Sequence, residues 1–126
     1  LLMVGLDNFH RFHQTYGREI GVRVLQMVSA TLLHNLRPFD FIGRWDNEEI
    51  VILFSNIDES GMAERAEALR MLVDRSFLMV GKPIRVTVSI GGSFYTLEDN
   101  MESWVNRARL LMERSKSMGR NRVTLE

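Results

Sequence analysis

The chain opens on an unbroken apolar run from Leu1 to Leu6. A run of this kind, with no alternation of polar and apolar positions, is typical of a strand that is covered on both faces of a sheet. Asp7 and Asn8 follow it and turn the chain into a helix, and short polar side chains such as theirs often cap a helix N-terminus. We therefore predict a buried first strand followed by a helix that Asp7 or Asn8 caps.

Three longer segments repeat apolar residues at helical spacing. They run from Arg18 to Leu36, from about Glu59 to Val73 and from about Met101 to Met118. The positions predicted to face the core are Gly21, Val24, Leu25, Val28, Leu32, Leu36, Met62, Ala66, Leu69, Val73, Trp104, Val105, Ala108, Leu111 and Met112. Pro38 stops the first of these helices, and Gly119 is the predicted C-terminal cap of the last.

Two strands are predicted at Phe39–Trp45 and Ile50–Phe54, with a tight hairpin at Asp46-Asn47 between them, because both turn residues tolerate positive φ better than most. The second of these strands, "IVILF", has no alternation and reads as a central strand.

Later in the chain, apolar and polar residues alternate from Ile84 to Ile90, which predicts a half-buried strand that Gly91-Gly92 bends or bulges. "RVTL" near the end predicts an edge strand. The order β-α-α-β-β-α-β-α-β indicates an α/β fold of the α+β kind, a single domain over 1–126, with helices packed on an antiparallel-centred sheet.

Composition and net charge disfavour several classes of function for this chain. Sixteen basic and sixteen acidic residues give a formal charge of zero, so no overall field favours nucleic acid or an anionic membrane. No apolar run reaches the roughly 18 residues that a membrane span needs. Cysteine is absent, which excludes disulfides and thiolate metal sites and makes the cytoplasm the default location. Because a strand begins at Leu1 without an initiator Met, we expect a piece of a longer protein with N-terminal sensor or other domains.

The candidate chemistry lies at the hairpin, where Glu48 and Glu49 follow the turn. Paired carboxylates can be a metal-binding active site, the remains of one, or a polar turn between two strands. Adjacent strand residues point to opposite faces, so the two carboxylates cannot hold one metal together without a twist.

Three motifs, in order over nearly the whole chain, resemble the GGDEF-domain (diguanylate cyclase) family. "LLMVGLDNFHRFHQTYG" is similar to its first strand and helix, D-x-D-x-F-K-x-x-N-D-x-x-G. "RPFDFIGRWDNEEIVIL" is similar to its R-x-x-D, spacer and GG[DE]EF hairpin, and "ERSKSMGRNRV" to its K-x-x-G-R-N ending. The resemblance implies a nucleotide-cyclase palm-like fold with a five-stranded, mostly antiparallel sheet flanked by helices. Active members join two GTP molecules into cyclic di-GMP across a dimer.

The resemblance also implies where Mg²⁺ would bind: at the first aspartate of D-x-D, a following carbonyl and the acidic residue of the hairpin, which correspond to Gly5, Leu6 and Glu48. Gly5 has no side chain to offer, and Mg²⁺ requires hard oxygen ligands in near-octahedral geometry. Asp7 is two residues out of register, about 6–7 Å along the strand, and we interpret it as a helix cap. Glu48 and Glu49 are therefore predicted to be relics, with no cofactor expected and Mg²⁺ only alongside residual GTP binding.

The positions that recognise guanine in similar domains also carry different residues in this chain. The asparagine and later aspartate of similar domains correspond to His13 and Val22, and His10 replaces a lysine near the phosphates. Asp46 and Asn47 replace the two glycines that let nucleotide approach the hairpin.

Two features are retained. Lys116 and Arg120 match the pair that contacts phosphate, although a solvated basic helix end explains them equally well. Arg37 and Asp40 match the R-x-x-D inhibitory site that binds cyclic di-GMP, where arginine can contact guanine O6 and N7 while aspartate accepts from its N1 and N2 hydrogens. Arg65 or Arg70 is a candidate for a further arginine there. Arg37 and Asp40 can also be purely structural, with Arg37 ending its helix and Asp40 paired to it.

Three functions stay open. The first is a degenerate, catalytically inactive GGDEF domain that acts in cyclic di-GMP signalling as a receptor or regulatory module through Arg37 and Asp40. The second is an active diguanylate cyclase with compensating changes. The third is a dimerisation or interaction scaffold without nucleotide. Expected partners are cyclic di-GMP, a second copy of the chain and attached domains.

Overall fold

The computed structural model describes all 126 residues. Its elements are β1 Leu2–Leu6, α1 Phe9–Tyr16, α2 Arg18–His34, β2 Phe41–Asp46, β3 Glu49–Leu53, α3 Glu59–Arg75, β4 Leu78–Val80, β5 Lys82–Ile84, β6 Val88–Gly92, α4 Met101–Ser117 and β7 Val123–Leu125. Five strands form one sheet in the order β2-β3-β1-β6-β7. Only the β6–β7 pairing is parallel, so the predicted fold class is confirmed. β4 and β5 form a separate hairpin that the sequence did not predict.

Helices cover the sheet on both faces. On one face, α1, α2 and α3 pack over a core to which β1 contributes Leu2, Val4 and Leu6. On the other face, α4 packs over a smaller cluster that contains Leu1 and Met3. Because β1 lies in the middle of the sheet and is buried on both faces, its sequence shows no alternation.

The helices follow the predicted pattern closely. All four inward positions predicted for α3 are buried, and the Asp58 side chain caps this helix by accepting from Gly61 N at 2.7 Å. Asn100 and Ser103 form a reciprocal capping box at the start of α4. α2 ends at His34, two residues before the predicted end. No helix is long and apolar enough to cross a bilayer.

The strand predicted over Ile84–Ile90 is wrong. The segment divides between β5, which pairs with β4, and β6, which is buried along its whole length. Of the three polar positions that suggested a solvent face, Arg85 is exposed, Thr87 is half-buried and Ser89 is buried. The Thr87 and Ser89 hydroxyls donate to the Asp7 carboxylate at 2.7 and 2.6 Å, a hydrogen-bond network that the sequence pattern cannot distinguish from exposure to water.

The bend predicted at Gly91-Gly92 is also wrong. Gly91 pairs with Met3 and Gly92 with Leu2 in regular register within β6. A Cβ at Gly91 would collide with the α4 backbone at Ala108 and Met112. The glycine is needed because a helix backbone lies directly against the strand at this position.

Candidate functional site

The β2–β3 hairpin forms where it was predicted. The Asp46 carboxylate accepts from Asn47 N at 2.8 Å, and the Arg44 guanidinium donates to the Asn47 carbonyl at 2.7 Å. Neither Asp46 nor Asn47 has positive φ, and the pairing shifts register between Arg44 and Asp46. The Glu48 carbonyl accepts from Leu6 N at 3.2 Å, which joins the hairpin to the end of β1.

The two carboxylates of the hairpin have different surroundings. Glu49 lies on the α4 face, where the Arg109 guanidinium donates to both of its oxygens, at 2.7 and 3.1 Å. These hydrogen bonds raise the pKa of Arg109. Glu48 lines a cavity beside α1 and α2. Glu48 lies in the turn that precedes β3, and only Glu49 is a strand residue. Both also line the cavity between the hairpin and α4, so strand geometry alone does not separate them.

Gly5 faces α4 opposite Glu49, its partner across the β1–β3 pairing. A Cβ at Gly5 would lie 2.7 Å from Met112 Sδ and 3.3 Å from Lys116 Nζ, so these two side chains fill the space that a longer residue would need. Lys116 Nζ is 3.8 Å from the Glu113 carboxylate. The amino group of Lys116 thus lies beside the position where the resemblance places a metal-binding aspartate.

The donor set expected for Mg²⁺ is incomplete in this chain. No group of three or more His, Asp or Glu side chains is close enough together to hold a metal ion. Glu48 is present at the position of the acidic hairpin ligand. Gly5, however, has no side-chain oxygen, and the Glu49 carboxylate accepts hydrogen bonds from Arg109. The residues present do not fit the near-octahedral oxygen set that Mg²⁺ requires.

Asp7 is not a helix cap, which corrects the prediction. The cap position of α1 is Asn8, with left-handed φ of 56° and no side-chain hydrogen bond to the helix. Asp7 is buried at 4% exposure and accepts from Thr87, Ser89 and the backbone N–H of Asn121, the last at 3.0 Å. Its carboxylate is an internal link between β1, β6 and the loop after α4.

The two predicted phosphate contacts lie in different settings. Lys116 lines a cavity with Glu48 and Arg109 between the hairpin and α4. Arg120 is exposed in the loop after α4 with positive φ, and its backbone N–H donates to the Ser115 carbonyl at 3.0 Å. Of the two, Lys116 is the one that the structure brings to the hairpin.

A cavity of about 480 Å³ occupies the place where the resemblance implies guanine recognition. Its lining is Phe9, His10, His13, Arg18, Val22, Leu25, Arg44, Asn47 and Glu48. The His13 ring packs against Phe9 with centroids 4.5 Å apart, and its Nε2 is buried without a hydrogen-bond partner. Arg18 and Arg44 belong to this lining, and no sequence motif indicated either residue.

Arg37 and Asp40 form a closed pair. Arg37 donates to the Asp40 carboxylate through Nε at 3.1 Å, a terminal guanidinium nitrogen at 3.0 Å and its backbone N–H at 2.9 Å. The guanidinium also donates to the Ser55 carbonyl at 2.6 Å. Burial of Asp40 opposes its ionisation, but hydrogen bonds from Arg37 and Ser55 outweigh that cost and lower the pKa of the carboxyl group.

Arg65, of the two arginines proposed to join this pair, is the one that reaches it. Its guanidinium lies 3.8 Å from the Asp40 carboxylate and donates to the Asn35 carbonyl at 3.0 Å. Arg70 is bound instead to Glu67 and Asn121. Arg37 and Arg65 both lie over the Phe54 ring, 6.0 and 5.4 Å from its centroid. They also line a common surface cavity of about 590 Å³.

The fold and these motifs define a class: a palm-like α+β domain of the nucleotide-cyclase kind, with a hairpin at the edge of its sheet. The family model described as diguanylate cyclase, GGDEF domain, matches residues 1–122. The chain belongs to the GGDEF-domain family, and its setting is cyclic di-GMP signalling.

Curated proteins match this chain over nearly its whole length. Diguanylate cyclase A of Treponema denticola is 36% identical over 127 residues, which cover 99% of this chain and 34% of that protein. Response regulator PleD of Caulobacter vibrioides is 32% identical over 126 residues, covering 97% of this chain and 28% of that protein. The chain thus spans about a third of the length of these curated relatives.

Among solved structures, diguanylate cyclase SiaD from Pseudomonas aeruginosa, in complex with its activator SiaC, superposes with a TM-score of 0.95 at 27% identity. The match covers 99% of this chain and 48% of that one. The GGDEF domain of DgcB from Caulobacter crescentus, in complex with c-di-GMP, has a TM-score of 0.92 at 27% identity, with coverage of 98% and 73%. Cyclic di-GMP is therefore a ligand of a structurally similar GGDEF domain.

Proposed function

We propose that this GGDEF domain is a non-catalytic cyclic di-GMP receptor, a cytoplasmic regulatory module of a longer multidomain chain. The observation that carries the proposal is the convergence of Arg37, Asp40 and Arg65 at the Phe54 ring. Two arginines beside an aromatic face suit a ligand that carries both phosphates and purine bases.

Asp40 acts in this site mainly through the arginines. Its side chain is fully buried, and its oxygens already accept from Arg37 and Ser55, so it holds the Arg37 guanidinium in a fixed orientation. Arg37 remains partly exposed, at 27% of its side chain, and Arg65 at 30%. The ligand is therefore expected to meet Arg37 and Arg65 first, with Asp40 as the residue that positions them.

Calorimetric titration with cyclic di-GMP tests the receptor function. Loss of a charge-assisted hydrogen bond costs about 1.5–3 kcal/mol, so Arg37→Ala and Arg65→Ala should each weaken binding by roughly ten- to a hundredfold. Arg75→Ala, an exposed arginine on the same helix as Arg65, is the matched control and should bind as the wild type does. Absence of heat with wild-type protein would contradict the receptor function.

The non-catalytic part has a separate test. The supporting observation is the absent side chain at Gly5, whose space Met112 and Lys116 fill. Incubation of the protein with GTP and Mg²⁺ should give no steady formation of cyclic di-GMP. Continuous turnover proportional to protein concentration would show that the chain is an active diguanylate cyclase in spite of Gly5, His13 and Val22.

A further inference from the structure

Two adjacent cavities on one side of α2 share three lining residues. The first is the cavity of about 480 Å³ beside α1. The second, of about 540 Å³, lies between α2 and β2, and both are lined by Val22, Leu25 and Arg44. We call the two together the α2 groove. Each part falls within the roughly 300–1,000 Å³ typical of small-molecule sites.

The two ends of the α2 groove differ in chemistry. The end beside α1 is polar and carries two guanidinium groups, of Arg18 and Arg44, against one carboxylate, of Glu48. The other end is mostly apolar, and its apolar lining residues are Val22, Leu25, Ala30, Leu33, Ile42 and Ile50. A groove with a cationic end and an apolar end is complementary to a molecule that has an anionic head and an apolar body.

The polar end keeps unused hydrogen-bonding capacity. Arg18 makes no hydrogen bond or ion pair within the protein, and Arg44 uses one nitrogen, on the Asn47 carbonyl at 2.7 Å. The Nε2 of His13 has no partner either, but it is buried against Gly21 and does not face the groove. A groove lined by one unpaired guanidinium and a second that uses a single nitrogen is suited to an anion.

Val22 lies where the two ends meet. It is 45% exposed, and Leu33 at the far end of the groove is 54% exposed, so apolar surface faces water along the groove wall. An aspartate at position 22 would repel an anionic ligand and, four residues after Arg18 on α2, would pair with that arginine. With valine at this position, the apolar wall runs without interruption to the two guanidinium groups.

We propose that the α2 groove binds a small amphiphilic anion. Arg18 and Arg44 hold its carboxylate or phosphate head, and its aliphatic or aromatic body lies along Val22, Leu33 and Ile42. The site shares no lining residue with the Arg37–Arg65 cavity, so it is independent of the proposed cyclic di-GMP binding.

Displacement of a fluorescent aromatic anion, anilinonaphthalene sulfonate, tests the site. Dodecanoate and dodecyl phosphate, kept below their micellar concentrations, should displace the probe, whereas GTP should not compete at similar concentrations. Comparison of the two heads distinguishes a carboxylate ligand from a phosphate ligand. Dodecanol, which has the same apolar body without charge, should bind at least about fivefold more weakly than either anion.

Variants locate the binding. Val22→Asp should weaken both anions by at least about tenfold, and Arg18→Gln should weaken them by about fivefold while leaving dodecanol unchanged. Arg23→Gln on the same helix and Leu110→Asp, an exposed leucine on α4, are matched controls that should bind as the wild type does. Circular dichroism confirms that each variant is folded.

The proposal is overturned if wild-type protein binds none of dodecanoate, dodecyl phosphate and dodecanol. It is also overturned if Val22→Asp binds the two anions as tightly as the wild type does. Equal binding of dodecanol and the anions, with no effect of Arg18→Gln, would also overturn it, because the cationic end would then play no part. Effective competition by GTP would assign the groove to a nucleotide instead.

Discussion

Asp7 shows how much a single buried carboxylate can connect. Its oxygens accept from Thr87, Ser89 and Asn121, which lie 80, 82 and 114 positions further along the chain. A helix cap was the natural expectation from local sequence, because its partners are too distant for any local pattern to indicate. The Asp7 side chain stabilises the fold by joining these distant segments.

Replacement of Asp7 tests that role. Asp7→Ala leaves three buried or half-buried donors without their acceptor, and each unmet group costs about 1–3 kcal/mol, so we expect a loss of about 3 kcal/mol in the free energy of unfolding. Urea denaturation measures it. Glu98→Ala, at an exposed glutamate, should change stability by less than about 0.5 kcal/mol. A loss for Asp7→Ala as small as that of the control would contradict the structural role.

The candidate site was predictable at the residue scale only in part. The prediction that Glu48 and Glu49 point to opposite faces assumed that both lie on a strand, whereas Glu48 lies in the turn and both line the cavity between the hairpin and α4. The partner of Glu49 could not be predicted, because Arg109 lies 60 residues away. Arg37 and Asp40 are close in sequence, and their pairing was one of the two alternatives that the sequence left open. Ligand binding at this pair stays a prediction.

At the scale of elements, helices were predicted more accurately than strands. A helix carries its own repeat of apolar residues, and α3 and α4 begin at the predicted residues. Strand limits depend on neighbours: β6 is buried on both faces, and the short β4–β5 hairpin carries no pattern strong enough to predict it. The prediction at Gly91 was wrong because glycine is required both at a bend in a strand and where a helix backbone lies against a strand, and the sequence does not distinguish the two.

The contact between β6 and α4 gives a prediction of its own. Gly91→Ala forces a methyl group into the α4 backbone, and overpacking of this kind costs about 1–3 kcal/mol. We expect about 3 kcal/mol by chemical denaturation, since backbone cannot move aside as a side chain can. Gly43→Ala on β2 is the control, because its nearest neighbour would be Val51 Cγ1 at an ordinary 3.7 Å. Equal stability of the two variants would contradict the close approach.

For the molecule as a whole, the Arg37–Asp40 pair predicts an acid response. The pKa of Asp40 lies below its ordinary value of 3.8, so its pairing contributes fully above about pH 4 and is lost as pH falls through the lower folded-state value. Unfolding measured from pH 6 to pH 2 should show a steeper loss of stability in the wild type than in Asp40→Asn below pH 4. Parallel profiles would show that the pair contributes nothing to stability.

The position of β1 in the sheet has a consequence for how the chain acquires its fold. Among the five strands of the sheet, the middle strand β1 comes first along the chain, and its two neighbours, β3 and β6, follow only after tens of further residues. Contacts of this range form slowly and leave apolar edges open meanwhile. During translation, Leu2–Leu6 therefore remains an apolar segment without both of its sheet neighbours until β6 has emerged.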